Sequence, residues 1–153
     1  MRVAGIVLLL LLGCACDSAD HVSNLEKQTQ SDRDRVADYN LSEKCSKDAK
    51  EWFNSNWGRE ANTILLTYTN HYNKKMNKCF VVVEDHYSMG HSDWTNHTAL
   101  WDIYDNVERG VVSISHIMWV DKPVEQTMHC EIDGQKCSSL DGFSELSRSY
   151  MND

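Results

Sequence analysis

Proline is nearly missing from this chain: the only one is Pro123, and its flanks place it in a loop. The sequence has no excess of basic residues. Fifteen lysines and arginines face twenty-three acids, giving a formal charge of −8 that becomes −9 if the first thirteen residues, with Arg2 their only charge, are removed. A protein that binds nucleic acid through its phosphates needs a concentrated basic face, so that class is excluded and nucleic acid is not an expected partner. The one local exception, Lys74, Lys75 and Lys78, reads as a solvated turn rather than an anion site. There is no HExxH, no GxSxG and no phosphate-cradling glycine loop, which removes the commonest hydrolase and nucleotide signatures. No internal repeat and no low-complexity segment occurs, and 153 residues suffice for one core of ordinary size.

The single long apolar run lies at the start, where Val3-Ala4-Gly5-Ile6-Val7 leads into Leu8 to Leu12 and then Gly13-Cys14. It is too short for a permanent membrane helix and has the shape of a signal-peptide apolar region. Residues 1–13 are therefore expected to be a signal peptide. Leu11-Leu12-Gly13-Cys14 resembles the lipobox of bacterial lipoprotein precursors. That resemblance implies diacylglyceryl transfer to the Cys14 thiol and cleavage that makes Cys14 the new N-terminus. Several acyl chains anchor durably because each buried methylene contributes about 0.8 kcal/mol. Ala15, rather than aspartate, follows the cysteine, and in a Gram-negative source this implies the periplasmic face of the outer membrane. The competing reading is an ordinary secretory signal cut near Ala19, which would yield a secreted protein.

Residues 14–38 read as the lipidated cysteine and a flexible tether, because DSADHVSNLEKQTQSDRDRVAD has only scattered apolar residues. As a coil its end-to-end distance would be about 25 Å. A single α+β domain is expected over 39–153, an antiparallel meander between an N-terminal and a C-terminal helix, stapled by disulfides. Ser42 is placed to cap a helix over Glu43 to Ser55, where Cys45, Ala49, Trp52 and Phe53 recur on one face, with Gly58 just beyond its end. The organising stretch is Ile64 to Tyr87, two β-branched and aromatic segments around the polar break Asn73 to Lys78. Phe80 to Val83 is continuous hydrophobe and belongs mid-sheet. A loop is expected over Ser88 to Asn96. A second strand pair follows at Ala99 to Tyr104 and Val111 to Met118, the first of which also admits a helical turn or two. Gln126 to Cys130 and Gln135 to Cys137 flank Asp133-Gly134, a hairpin signal, and Leu140 to Met151 form a closing helix capped by Ser138 or Ser139.

With Cys14 acylated, five cysteines remain, and an exported protein meets an oxidising compartment. Cys45, Cys79, Cys130 and Cys137 allow three connectivities. Proximity favours Cys130 with Cys137 across the Asp-Gly turn and leaves Cys45 for Cys79, with Cys16 over, either free or paired to another molecule. The segment Asn70-His71-Tyr72-Asn73-Lys74-Lys75-Met76-Asn77-Lys78-Cys79-Phe80 resembles a group of small uncharacterised exported bacterial proteins sharing a HYNxKxNKC-type stretch; the resemblance brings no activity with it.

Chemistry is sparse. His86, His91 and His97, with Met89 among them, offer donors suited to copper or zinc, but their spacing matches no compact zinc signature, so a solvated loop is the plainer reading and neither metal nor cofactor is expected. Glu84 with Asp85, or Asp102 with Asp105, would serve glycoside chemistry only across a cleft. Cys79 near His71 or His116 would make a nucleophile only if it were reduced. Among five tryptophans, Trp94 and Trp119 fall in expected loops and are the candidate contacts for a partner, an envelope protein or glycan. The expected function is thus a membrane-anchored envelope lipoprotein acting as a non-catalytic binding or accessory module. The alternative is a copper- or zinc-binding protein or enzyme built on the histidine-rich residues 86–97.

Overall fold

The computed structural model describes residues 17–58, 60–118 and 122–153, with side chains from Asn24 onward. Cys14, Cys16 and Trp119 lie outside the described residues. The chain divides into two compact units, Met1–Tyr39 and Asn40–Asp153. Helix α1, Asp17–Asn56, runs through the boundary. Strands β1 (Thr63–Asn73), β2 (Lys78–Gly90), β3 (Asp93–Asp102), β4 (Val107–Ile117), β5 (Val124–Ile132) and β6 (Gln135–Lys136) follow, and α2 (Leu140–Met151) closes the chain. The fold is the expected α+β arrangement: a six-stranded antiparallel meander in the order β1-β2-β3-β4-β5-β6 with a helix before and after it.

In the first unit, residues 17–38 are helical rather than a coil. Asp17 to Asn56 contains neither glycine nor proline and is rich in straight-chain helix formers. Links one turn apart, Asp32 with Arg35 and Gln30 with Asp34, add local support. The apolar residues there are too few to make a buried stripe, and every described side chain from 24 to 44 is exposed except Asp38. Ser42 accordingly caps nothing: helix continues on both sides of it.

In the second unit the core lies on both faces of the sheet. Alternation along each strand sends Tyr68, Tyr72, Cys79, Val81, Val83, Ala99 and Trp101 to one face, where they meet Cys45, Ala49, Trp52, Phe53 and Trp57 from the last turns of α1 and the residue after it. The rings of Phe53 and Tyr68 pack in a tilted pair at 4.4 Å, and those of Trp52 and Trp101 at 5.4 Å. The other face carries Phe80, Leu100, Val112, Ile114, Cys130 and Ile132 against Phe143, Leu146 and Tyr150 of α2. Val81 and Val83 are wholly buried beneath α1 and Phe80 beneath α2, so the continuous hydrophobicity of this strand reflects cover on both faces, although as second of six it stands beside the edge strand rather than at mid-sheet. Burying one large apolar side chain contributes about 1.5–3 kcal/mol, so these two half-cores hold most of the stability.

Local chemistry sets the turns. Asp133 (φ 46°) and Gly134 (φ 82°) both adopt left-handed backbone, as the two-residue hairpin between β5 and β6 demands. Ser139 caps α2, its hydroxyl accepting from the Gly142 amide at 3.1 Å. Gly58 does not take the left-handed conformation; α1 instead ends with the Asn56 side chain donating back to the Trp52 carbonyl at 2.8 Å. The expected loop from Ser88 to Asn96 is almost entirely strand. β2 runs to Gly90 and β3 starts at Asp93, leaving Gly90, His91 and Ser92 to turn the chain with φ of 87°, 51° and 70°. The polar character of these residues reflects a sheet end that is only half covered, not an absence of pairing.

Two disulfides close the unit. Cys45 joins α1 to the start of β2 with Cα atoms 5.4 Å apart, and Cys130 joins Cys137 across the β5–β6 hairpin at 5.0 Å. A charged network fixes the same end of the sheet. Asp102 is fully buried, 3.3 Å from Lys78 Nζ and 3.2 Å from Arg109 Nη2, while Arg109 reaches Asp133 at 3.8 Å. Such a buried carboxylate is tolerable only because two cations face it. Gly110 of β4 pairs with Ile132 of β5, and a Cβ there would overlap the Glu131 carbonyl and Ile132.

Candidate binding face

Sheet register decides which of the sequence-flagged residues meet. Trp94 of β3 stands opposite His116 of β4, and their rings stack at 4.7 Å and 11°. Asn96, two residues along the same face, donates from Nδ2 to His116 Nε2 at 3.2 Å. On its other side the His116 ring faces the Glu125 carboxylate, Nδ1 to Oε2, at 3.7 Å. His86 of β2 is opposite Asn96, and Glu125 of β5 is opposite His116. Four strands thus set His86, Asn96, Trp94, His116 and Glu125 side by side on the α2 face, at the end of the sheet away from the Asn73 turn that α2 caps. Asn96 Oδ1 is buried without a hydrogen-bond partner. Flat aromatic surface bordered by amide, imidazole and carboxylate suits a ligand that offers apolar C–H faces together with hydroxyl or amide groups.

The three histidines of the metal alternative are not brought together. His86 and His97 belong to opposite faces, because His86 pairs with Asn96 while His97 pairs with Asp85. His91 is exposed in the turn. On the α1 face His97 Nδ1 lies 3.3 Å from Asp85 Oδ1, and its ring is 6.3 Å from that of Trp57. Burial raises the pKa of Asp85, against the opposing pull of His97 and His86. Among the described residues no group of three or more histidine, cysteine, aspartate or glutamate side chains could hold a metal ion.

Other candidates are committed elsewhere. Cys79 is in a disulfide and is no thiol nucleophile. Glu84 and Asp85, as neighbours on one strand, project to opposite faces. Asp102 and Asp105 share Lys78, whose hydrogen bond holds Asp105 below the usual carboxylate range. Lys78 therefore belongs to the charged network and not to an open cationic turn. Trp94, expected in a loop, is a half-buried strand residue. His116 was named only as a neighbour of Cys79 and Glu125 not at all, because nothing local marks their place here: they reach Trp94 only through the pairing of β4 with β3 and of β5 with β4.

No family model matches this chain, nor does any curated protein or solved structure match it.

Proposed function

We propose that this chain is a membrane-anchored envelope lipoprotein whose α+β domain is a non-catalytic binding module. The observation that carries the reading is the cysteine directly ending the leucine-rich run, Leu11-Leu12-Gly13-Cys14. Two closed disulfides support an oxidising, extracytoplasmic setting. No helix among the described residues is long and apolar enough to cross a membrane, so on this reading the acylated Cys14 is what holds the chain there. The Trp94–His116 ledge is the binding surface we assign, and an envelope protein or glycan is its partner.

Labelling of the full chain in cells with radioactive palmitate tests the anchor. Label is expected in the membrane fraction for the native chain and is lost in Cys14→Ser, which accumulates as precursor. An unlabelled, unprocessed native chain with reduced thiols among soluble cytosolic proteins refutes the reading. For the binding surface, Trp94→Ala is expected to abolish photo-crosslinking to an envelope component while leaving far-ultraviolet circular dichroism unchanged.

A further inference from the structure

Sheets end in strands whose outer amides and carbonyls can template another strand, and proteins blunt such edges with charge, proline, bulges or brevity. The two edges of this sheet are treated differently. At the β5–β6 side Pro123 precedes β5, Glu125 and Glu131 stand within it, a bulge opposite Ser113 and Ile114 interrupts it, and β6 has only two residues. β1 has almost none of this. Its eleven residues, TILLTYTNHYN, include no lysine, arginine, aspartate, glutamate, proline or glycine, in a chain that is 25% charged. The one irregularity is at Thr63 to Leu65, and from Leu65 to Asn73 the pairing with β2 is unbroken. Leu65, Thr67 and Thr69 are exposed on the α2 face.

We propose that β1 is the edge through which two copies of this chain pair, antiparallel about a two-fold axis, joining two six-stranded sheets into one. The strand's composition selects a second copy as the occupant. Two-fold pairing sets a strand against itself, so any charge near the axis would meet its own like, and β1 has none to meet. With the axis near Tyr68, Thr67 faces the partner copy's Thr69, a β-branched hydroxyl pair that suits a sheet, and Leu66 its Asn70, an uncharged pair. The same axis brings Lys75, just past one end of β1, toward the partner copy's Glu60, just before the other, both exposed and of opposite sign. The pairing does not depend on whether Cys14 is acylated.

The test uses the full chain carrying Cys16→Ser, purified in mild detergent, with single substitutions Leu65→Cys, Thr67→Cys, Thr69→Cys and His71→Cys. Oxidative cross-linking is expected to give dimer with the highest yield beside the axis, at Thr67 or Thr69, falling toward both ends. No dimer at any position, or equal yield at all four, overturns the proposal, as does a wild-type chain that sediments as a monomer. Thr67→Lys with Thr69→Lys is expected to weaken self-association about tenfold or more. Mixing it with the chain carrying Thr67→Glu and Thr69→Glu is expected to restore dimer. Because restoration needs both variants folded, failure to restore dimer while circular dichroism stays native also overturns it.

Discussion

Asn73 is the residue whose loss this structure prices most clearly. Its side chain is 1% exposed at the last position of β1. Nδ2 donates toward the carbonyls of Ser149, Tyr150 and Asn152 at 3.0, 3.1 and 3.2 Å, and Oδ1 accepts from the Met76 amide at 3.0 Å. One amide thus satisfies carbonyls that every helix leaves open at its C-terminus and fixes the β1–β2 turn as well. Asn73→Ala removes about three hydrogen bonds, each contributing roughly 1 kcal/mol, and leaves partly buried carbonyls short of a donor, at a further cost toward the low end of about 1–3 kcal/mol. The expected loss is about 3–5 kcal/mol, which for a unit of this size lowers the melting temperature by on the order of 10 °C or more.

Asn73→Asp separates the donor from the acceptor. An ionised carboxylate keeps the bond from Met76 but faces three carbonyl oxygens with nothing to donate, so its folded-state pKa must lie above the unfolded value of about 3.9. For a group with a raised folded pKa, the protonated form's contribution is fully present below the unfolded pKa and is lost as pH rises through the folded one. Urea denaturation of Asn73→Asp should therefore show a modest deficit near pH 4 that widens toward pH 7, while the deficit of Asn73→Ala should stay flat over the same range. A loss under about 0.5 kcal/mol for Asn73→Ala, or a pH-independent deficit for Asn73→Asp, would refute the reasoning.

Other perturbations test separate parts of the fold. Removing the Cys45–Cys79 disulfide by paired serine substitution should cost about 4 kcal/mol and removing Cys130–Cys137 about 2.5, because the first closes a longer loop in the unfolded chain; equal losses in urea midpoints would argue against the loop-entropy account. Ser92 holds a positive φ without being glycine, so Ser92→Gly should stabilise by roughly 1 kcal/mol in the same assay, and a destabilised variant would mean that this turn has a different backbone. Burial, reinforced by a 2.6 Å hydrogen bond to Asp133, raises the Tyr150 pKa to about 12. That contribution to stability is full below the unfolded tyrosine pKa of about 10 and disappears as pH rises through about 12. Burial raises Tyr104 as well, so ultraviolet titration should show Tyr150 as the last tyrosine to ionise, and Tyr150→Phe should delete that last step while the Tyr104 step remains.

What could be read along the chain was local. The 3.6-residue recurrence of Cys45, Ala49, Trp52 and Phe53, the alternation on β1, the continuous run Phe80 to Val83, the Asp133-Gly134 turn and a serine cap at 138 or 139, which is Ser139, each depend on neighbours a few residues away, and each holds in the fold. So did the pairing of the four cysteines, since proximity and the Asp-Gly turn left one economical arrangement.

Two misreadings show where locality ends. The polar stretch 17–38 has no apolar periodicity, so only propensity and links one turn apart favour its helix, and these leave no pattern to find. The segment from Ser88 to Asn96 was mistaken for a loop because its composition mirrors partial exposure, whereas Ser88 pairs with Trp94 and Gly90 with Asp93 across a tight turn and β4 pairs with Trp94 to Asn96 from the other side.

By itself the sequence determined most of the elements, their order and the pairing of the four domain cysteines, because periodicity and turn chemistry are written in adjacent residues. Only the tertiary structure decided that Trp94 lies on His116, that His86 and His97 are divided between faces, and that Lys78 belongs to Asp102. The reason is register: a shift of one residue moves every side chain to the other face, and that alignment is fixed by bulges and by packing against α1 and α2, which no short window of sequence contains.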